Sequence, residues 1–196
     1  MIFNQGIELY LASQSPRRRA LLKELGFPVK IVKAPDIEEV YPLGLKGAEI
    51  PLYLSKLKAE AFTDELPDNA ILVTADTIVW LNNEVLGKPA DAADAMLMLS
   101  KLAGTMHQVF TGVSLKYRNK QISFSDVTNV YFRAMGADEI RFYVDKYQPL
   151  DKAGAYGIQE WIGFTGVERI EGSYFNVMGL PTHKLYGQLL QIINSK

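Results

Sequence analysis

Three arginines in succession, Arg17, Arg18 and Arg19, follow Ser15 and Pro16, residue types that open a helix. Positive charge at a helix N-terminus opposes the macrodipole, so this placement calls for a negative partner. With Ser15 as N-cap and about 100° of rotation per residue, Leu21, Leu22 and Leu25 define the buried face. Arg18 then points close to the middle of that face, Arg17 lies on its flank, and Arg19 faces solvent. A guanidinium on a buried face needs a carboxylate or a bound anion. One outcome is an ion pair with an acidic core residue. The other is a phosphate held by the helix N–H groups and gripped by Arg17 and Arg18 with fork geometry.

Asp76, in "LVTADTIVW", is the second anomaly, because a carboxylate within an apolar run must be paired, protonated or bound to a metal. The acidic loop with Asp36, Glu38 and Glu39 is either a solvated turn or, together with Asp76, a source of the oxygen ligands that magnesium and manganese prefer. Lys58 on the flank of a helix and Lys88 in "LGKP" read singly as surface lysines. His107 and His183 match no zinc spacing, and no Walker loop, nucleophile elbow or dinucleotide fingerprint is present.

The elements that must position these residues alternate along the chain. "IELYLAS" reads as a strand feeding the arginine helix, which Gly26 closes at C′, and "VKIVKAP" as a second strand. Residues 48–62 form a helix with Ile50, Leu54, Leu57 and Ala61 on one face and Pro51 in its first turn. "AILVTADTIVW" suits a buried central strand, turned by Asn82 and Asn83 into a hairpin. A helix from Asp91 to Gly104 precedes two alternating strands, "HQVFTGVSLKY" and "QISFSDVTNVYFR", joined at Arg118, Asn119 and Lys120. "ADEIRFYVDKY" reads as a helix, "DKAGAYGIQEWIGFTG" as a loop, "SYFNVMG" as a strand and "PTHKLYGQLLQII" as a closing helix. Interleaved helices and strands with several hairpins predict an α/β domain with a mixed sheet.

Composition narrows the function classes. The 196 residues favour one domain, and a net charge of −1 gives no basis for a nucleic-acid or anionic-membrane surface. The absence of cysteine removes disulfides, thiolate metal sites and cysteine nucleophiles. No signal-peptide pattern or bilayer-length apolar run is found, so the expected location is the cytoplasm.

"LASQSPRR", "PDIEE", "TADTIV", "VLGKPAD", "HQVFTGV", "DKAGAYGIQ" and "GSYFNVMGLP" occur in the order and approximate spacing of the Maf family, and the chain resembles that family over nearly its whole length. The resemblance implies an inosine triphosphatase-type fold, an elongated mixed sheet flanked by helices, in a single domain over residues 1–196 with scope for two lobes around a central cleft. It implies a nucleoside triphosphate pyrophosphatase of nucleotide metabolism and suggests a homodimer. By the same resemblance Ser13, Arg17, Arg18, Lys58 and Lys88 surround the triphosphate. Glu39 and Asp76 match the acidic metal and catalytic centre, with Mg2+ or Mn2+ as cofactor and Asp76 as proton acceptor.

Arg17, Thr77 and Gln159 match the markers of the group acting on dTTP and UTP, whereas members preferring 7-methyl-GTP typically carry an aromatic residue and a glutamate at the latter two. A glutamine amide offers a donor and an acceptor, which suits the imide edge of uracil or thymine. The chain departs from the family pattern at Glu160 and Trp161, where a small, glycine-rich continuation is expected. Two rival readings stand beside this one: a pyrophosphatase for 7-methyl-GTP or another modified nucleotide, and a regulator of cell division that senses nucleotides without hydrolysing them. Carboxylates facing an anionic ligand argue against the sensor unless a metal lies between them.

Overall fold

A computed structural model of the chain describes residues 6–195. In β1 (Glu8–Ala12), Leu9, Tyr10, Leu11 and Ala12 are all buried, because the strand lies between two parallel neighbours, β2 (Val29–Val32) and β3 (Ala70–Leu81). Beyond β3 the sheet continues through β5 (Met106–Tyr117) and β6 (Lys120–Phe132) to β7 (Val167–Glu171), in the order β2-β1-β3-β5-β6-β7, with β4 (Glu84–Leu86) paired antiparallel to β3. The pairing of β6 with β7 is also antiparallel, so the sheet is mixed. Asn82 and Asn83 both adopt positive φ, 50° and 66°, the backbone that a tight two-residue hairpin requires.

Helices α1 (Pro16–Lys23), α2 (Glu49–Glu60), α3 (Ala92–Leu102), α4 (Ala137–Tyr147) and α7 (Thr182–Asn194) lie where the sequence pattern puts them. Ser15 caps α1 by accepting from the Arg18 N–H, and Asp91 caps α3 by accepting from the Asp94 N–H. Gly26 lies two residues beyond the Glu24 C-cap of α1, one position later than the expected C′.

Two expectations near the C-terminus are corrected. "SYFNVMG" is not a strand: Ser173 caps a short helix, α6 (Tyr174–Val177), and the buried Asn176 amide donates to the Val109 carbonyl and Thr128 Oγ1, each at 3.0 Å. The strand of this region is β7, just upstream. The glycine-rich loop contains a 3-10 turn at Ala153–Ala155 and a helix, α5 (Trp161–Gly166).

Contacts group the chain into two units: one comprises the chain up to Asp76, Thr111–Asp126 and Gly179 onward, the other Thr77–Phe110 and Val127–Met178. The first has an apolar cluster of Tyr10, Ala12, Phe62, Ala70 and Leu72. The core of the second includes Val79, Leu99, Val109, Val130, Tyr143 and Ile162. Within the first unit, α2 is fastened to the sheet by a polar ladder. Thr74 Oγ1 donates to the Ser55 carbonyl at 2.7 Å, Ser55 Oγ lies 3.0 Å from Ser114 Oγ, and Ser114 Oγ lies 2.9 Å from Ser123 Oγ. Gly112 on β5 lets the first turn of α2 approach so closely that a Cβ there would overlap the Pro51 carbonyl. No helix among the described residues is long and apolar enough to cross a membrane.

Candidate active site

The ladder that fixes α2 also places its charge. Thr74 and Asp76 share a face of β3 by the two-residue period of a strand, and Ser55 and Lys58 are neighbours on α2 by the helical i, i+3 relation. Beside the Thr74–Ser55 bond, Lys58 Nζ donates to Asp76 Oδ1 at 2.6 Å. The same ammonium reaches Glu39 Oε1 at 2.7 Å, so one lysine bridges a strand carboxylate and a loop carboxylate. The Lys58 and Asp76 side chains are only 14% and 11% exposed, whereas Glu39 is 46% exposed. Lys58 is therefore more than the surface lysine its position alone suggested.

Arg18 is the fourth charge of the cluster. Its Nε donates to the Gly179 carbonyl at 2.8 Å and its guanidinium reaches Ser13 Oγ at 3.5 Å, while Ser13 Oγ also accepts from the Ser15 N–H. Burial pushes the guanidinium down from its usual value; the Asp76 carboxylate opposes this, Arg17 adds to it, and Glu39 opposes it. The partner that helix geometry demanded for Arg18 thus includes a carboxylate field, a backbone carbonyl and a hydroxyl. Arg17 is half-buried beside it in a first turn that holds no acidic residue, and Arg19 is exposed.

Ser13, Arg17, Arg18, Glu39, Lys58 and Asp76 all belong to the first unit. Thr77, Lys88 and Gln159 belong to the second. Lys88 is exposed in the loop after β4, and the adjoining Gly87 carbonyl accepts from the Gly154 N–H at 3.0 Å. Gln159 is half-buried, and its Oε1 is buried with no hydrogen-bond partner among the described residues.

Sequence reasoning missed the Gly179 carbonyl, because a backbone acceptor leaves no mark in residue types. It also missed the partners of Glu160: the Tyr143 hydroxyl donates to this carboxylate, and Lys152 Nζ lies 3.3 Å from its other oxygen. The unexpected glutamate was the only available signal. Trp161 packs edge-on against Phe142 at 5.0 Å.

No group of three or more His, Cys, Asp or Glu side chains among the described residues is arranged to hold a metal. Two carboxylates remain a suitable donor set for a hard cation of the Mg2+ type, which commonly takes one or two carboxylates and completes its shell with substrate phosphates and water.

A family model described as Maf-like protein matches residues 8–192. A relative from Bacteroides thetaiotaomicron, named dTTP/UTP pyrophosphatase, is 51% identical over 185 residues, 94% of this chain and 96% of the relative. A Bacteroides fragilis relative of the same name is 52% identical over the same shares of the two chains. One from Flavobacterium psychrophilum, again of that name, is 49% identical over 95% of each chain. Among solved structures, a HAM1 protein from Coxiella burnetii is similar in fold, with a TM-score of 0.50 at 17% identity over 94% of this chain and 99% of that one. The family match and these relatives run nearly end to end, and the chain belongs to the Maf family.

Proposed function

We propose that this protein is a nucleoside triphosphate pyrophosphatase that hydrolyses dTTP and UTP to the monophosphate and pyrophosphate. The observation that carries the chemistry is the Lys58 bridge between Asp76 and Glu39, with Arg18 in the same electrostatic cluster. Two acids and two cations suit a reaction that needs both a proton acceptor and charge neutralisation. The pyrimidine substrate rests on the shared name of the 51–52% identical relatives and on Arg17, Thr77 and Gln159.

In this reading Asp76 accepts a proton from the water that attacks the α-phosphorus. The bond from that phosphorus to the oxygen bridging to the β-phosphorus breaks, and its electron pair leaves with pyrophosphate. Lys58, held to Asp76 Oδ1, keeps the carboxylate aimed, leaving its second oxygen to take the proton. Arg17, Arg18 and Lys88 neutralise the triphosphate and the charge that grows on the leaving group, and Ser13 adds a hydroxyl beside Arg18. Asp76 and Glu39 would hold Mg2+ or Mn2+, which when bound supplies charge neutralisation at the phosphates and a more acidic attacking water. Gln159 offers its amide to the imide edge of the base.

The test is pyrophosphate release from dTTP, UTP, 7-methyl-GTP and the common purine triphosphates, with and without Mg2+ or Mn2+. Metal-dependent turnover of dTTP and UTP above the purines is expected. A clear preference for a purine overturns the substrate assignment, and tight binding without turnover overturns the enzyme.

A further inference from the structure

Gln159 stands in a four-residue turn, Gly157 to Glu160, closed by a 2.9 Å hydrogen bond from the Glu160 N–H to the Gly157 carbonyl. The hydroxyl of Tyr143 holds both ends of that turn. It accepts from the Gly157 N–H at 3.0 Å and donates to the Glu160 carboxylate. Tyr143 is fully buried on α4 and its ring stacks on Tyr147 at 5.1 Å, so the hydroxyl is presented from a fixed base. The other end of the carboxylate faces Lys152, which is buried and also paired with Asp151 at 2.7 Å. The Glu160 carboxyl group lies over Gly157, where a Cβ would come within 2.8 Å of the carboxyl carbon.

What this arrangement holds in place is the amide of Gln159, whose oxygen is buried without a partner among the described residues. A buried acceptor in that condition is costly unless another group supplies a donor. We infer that Tyr143 is a positioning residue for nucleobase selection: its hydroxyl, through Gly157 and Glu160, sets the Gln159 amide where an N–H of the base completes it. The inference rests on the proposed pyrophosphatase reading and deepens it. It also gives Glu160 a purpose, since an acidic side chain here is the acceptor that the tyrosine needs.

The experiment compares Tyr143→Phe, Glu160→Gln and Glu160→Ala with the wild type. Steady-state kinetics on dTTP, UTP, ATP and GTP are paired with calorimetric binding of a non-hydrolysable dTTP analogue and with melting curves. Tyr143→Phe is expected to raise KM for dTTP and UTP about fivefold, the usual scale for one hydrogen bond, and to narrow the pyrimidine-over-purine ratio of kcat/KM with kcat retained. Glu160→Gln keeps an acceptor and behaves as the wild type, whereas Glu160→Ala copies Tyr143→Phe. A folded Tyr143→Phe variant with unchanged KM and base preference overturns the inference, whatever its melting temperature. If that variant does not fold, Glu160→Ala matching Glu160→Gln overturns it instead. Wild-type protein that binds the analogue but releases no pyrophosphate contradicts the enzyme reading alone; the clamp is then judged by whether Glu160→Ala weakens binding and Glu160→Gln does not.

Discussion

Lys58 and Asp76 form a 2.6 Å ion pair across 18 residues of sequence, and the geometry of that pair follows from one contact upstream. Once Thr74 is tied to the Ser55 carbonyl, two residues of strand advance about 6.6 Å and three residues of helix about 4.5 Å. The flexible stem of a lysine spans the difference. A carboxylate that must be paired to lie in an apolar strand thereby obtains its partner from the packed helix rather than from a mobile surface chain.

Asp76→Asn keeps the shape of the side chain and removes its capacity to take a proton. Pyrophosphate release from dTTP is expected to fall about 10³-fold, the range for loss of a positioned general base. Lys58 retains Glu39, so the circular dichroism spectrum and the cooperative melt are expected to persist. Near-normal turnover in a folded Asp76→Asn protein contradicts the role given to Asp76.

Lys58→Met tests the other half of the pair. It leaves the Asp76 carboxylate, 11% exposed, without its ammonium, and is expected to cost about 3 kcal/mol in urea unfolding, at the lower end for breaking a buried pair. The double variant Lys58→Met, Asp76→Asn is expected to recover part of that loss, because the stranded charge is gone. Additive losses in the double-mutant cycle exclude a direct coupling between the two side chains.

Asp76 and Arg18 are legible in sequence because each violates a local rule, whereas Lys58 on its helix flank violates none. Asp76 interrupts an apolar run and Arg18 falls on a leucine face. The strands and long helices were legible for the complementary reason, since their periodicity and caps agree with their packing. Residues 151–179 carry the weakest local signal. There Ser173 and Asn176 decide for a helix through a cap and a buried amide whose partners, Val109 and Thr128, are distant in sequence. Tyr143 gave no sign at all, because an aromatic residue on the buried face of an amphipathic helix looks like core whether or not its hydroxyl is used.

Gly112 offers a way to disturb the site without touching a charge. Gly112→Ala places a Cβ against the backbone of Pro51, which is not the end of a side chain that can swing aside. The first turn of α2 has to retreat from β5, at a cost of about 1–3 kcal/mol for overpacking. The Thr74–Ser55 bond loosens with it, and Lys58 loses its registration on Asp76. Both a lower melting temperature and a lower kcat are expected for dTTP, whereas a stable variant with full activity shows that the close approach does not position Lys58.

His107, a residue of the second unit, makes stability depend on pH through its burial. Its ring is 1% exposed, its Nε2 lies 2.8 Å from the Tyr156 hydroxyl, and Phe132 and Tyr156 meet it edge-on. Burial pushes it down to about 3 from 6.5, so the folded state keeps it neutral while the unfolded chain takes up a proton. The sign follows: its contribution is complete above pH 6.5 and is lost as pH falls toward 3, at about 1.4 kcal/mol per unit. Between pH 7 and pH 5 the loss amounts to about 2 kcal/mol. Carboxylates titrate at lower pH in the same experiment, so the comparison that isolates His107 is urea unfolding of the wild type and His107→Gln at both values. The variant starts less stable and shows a flatter slope; equal slopes in the two proteins contradict a neutral buried histidine.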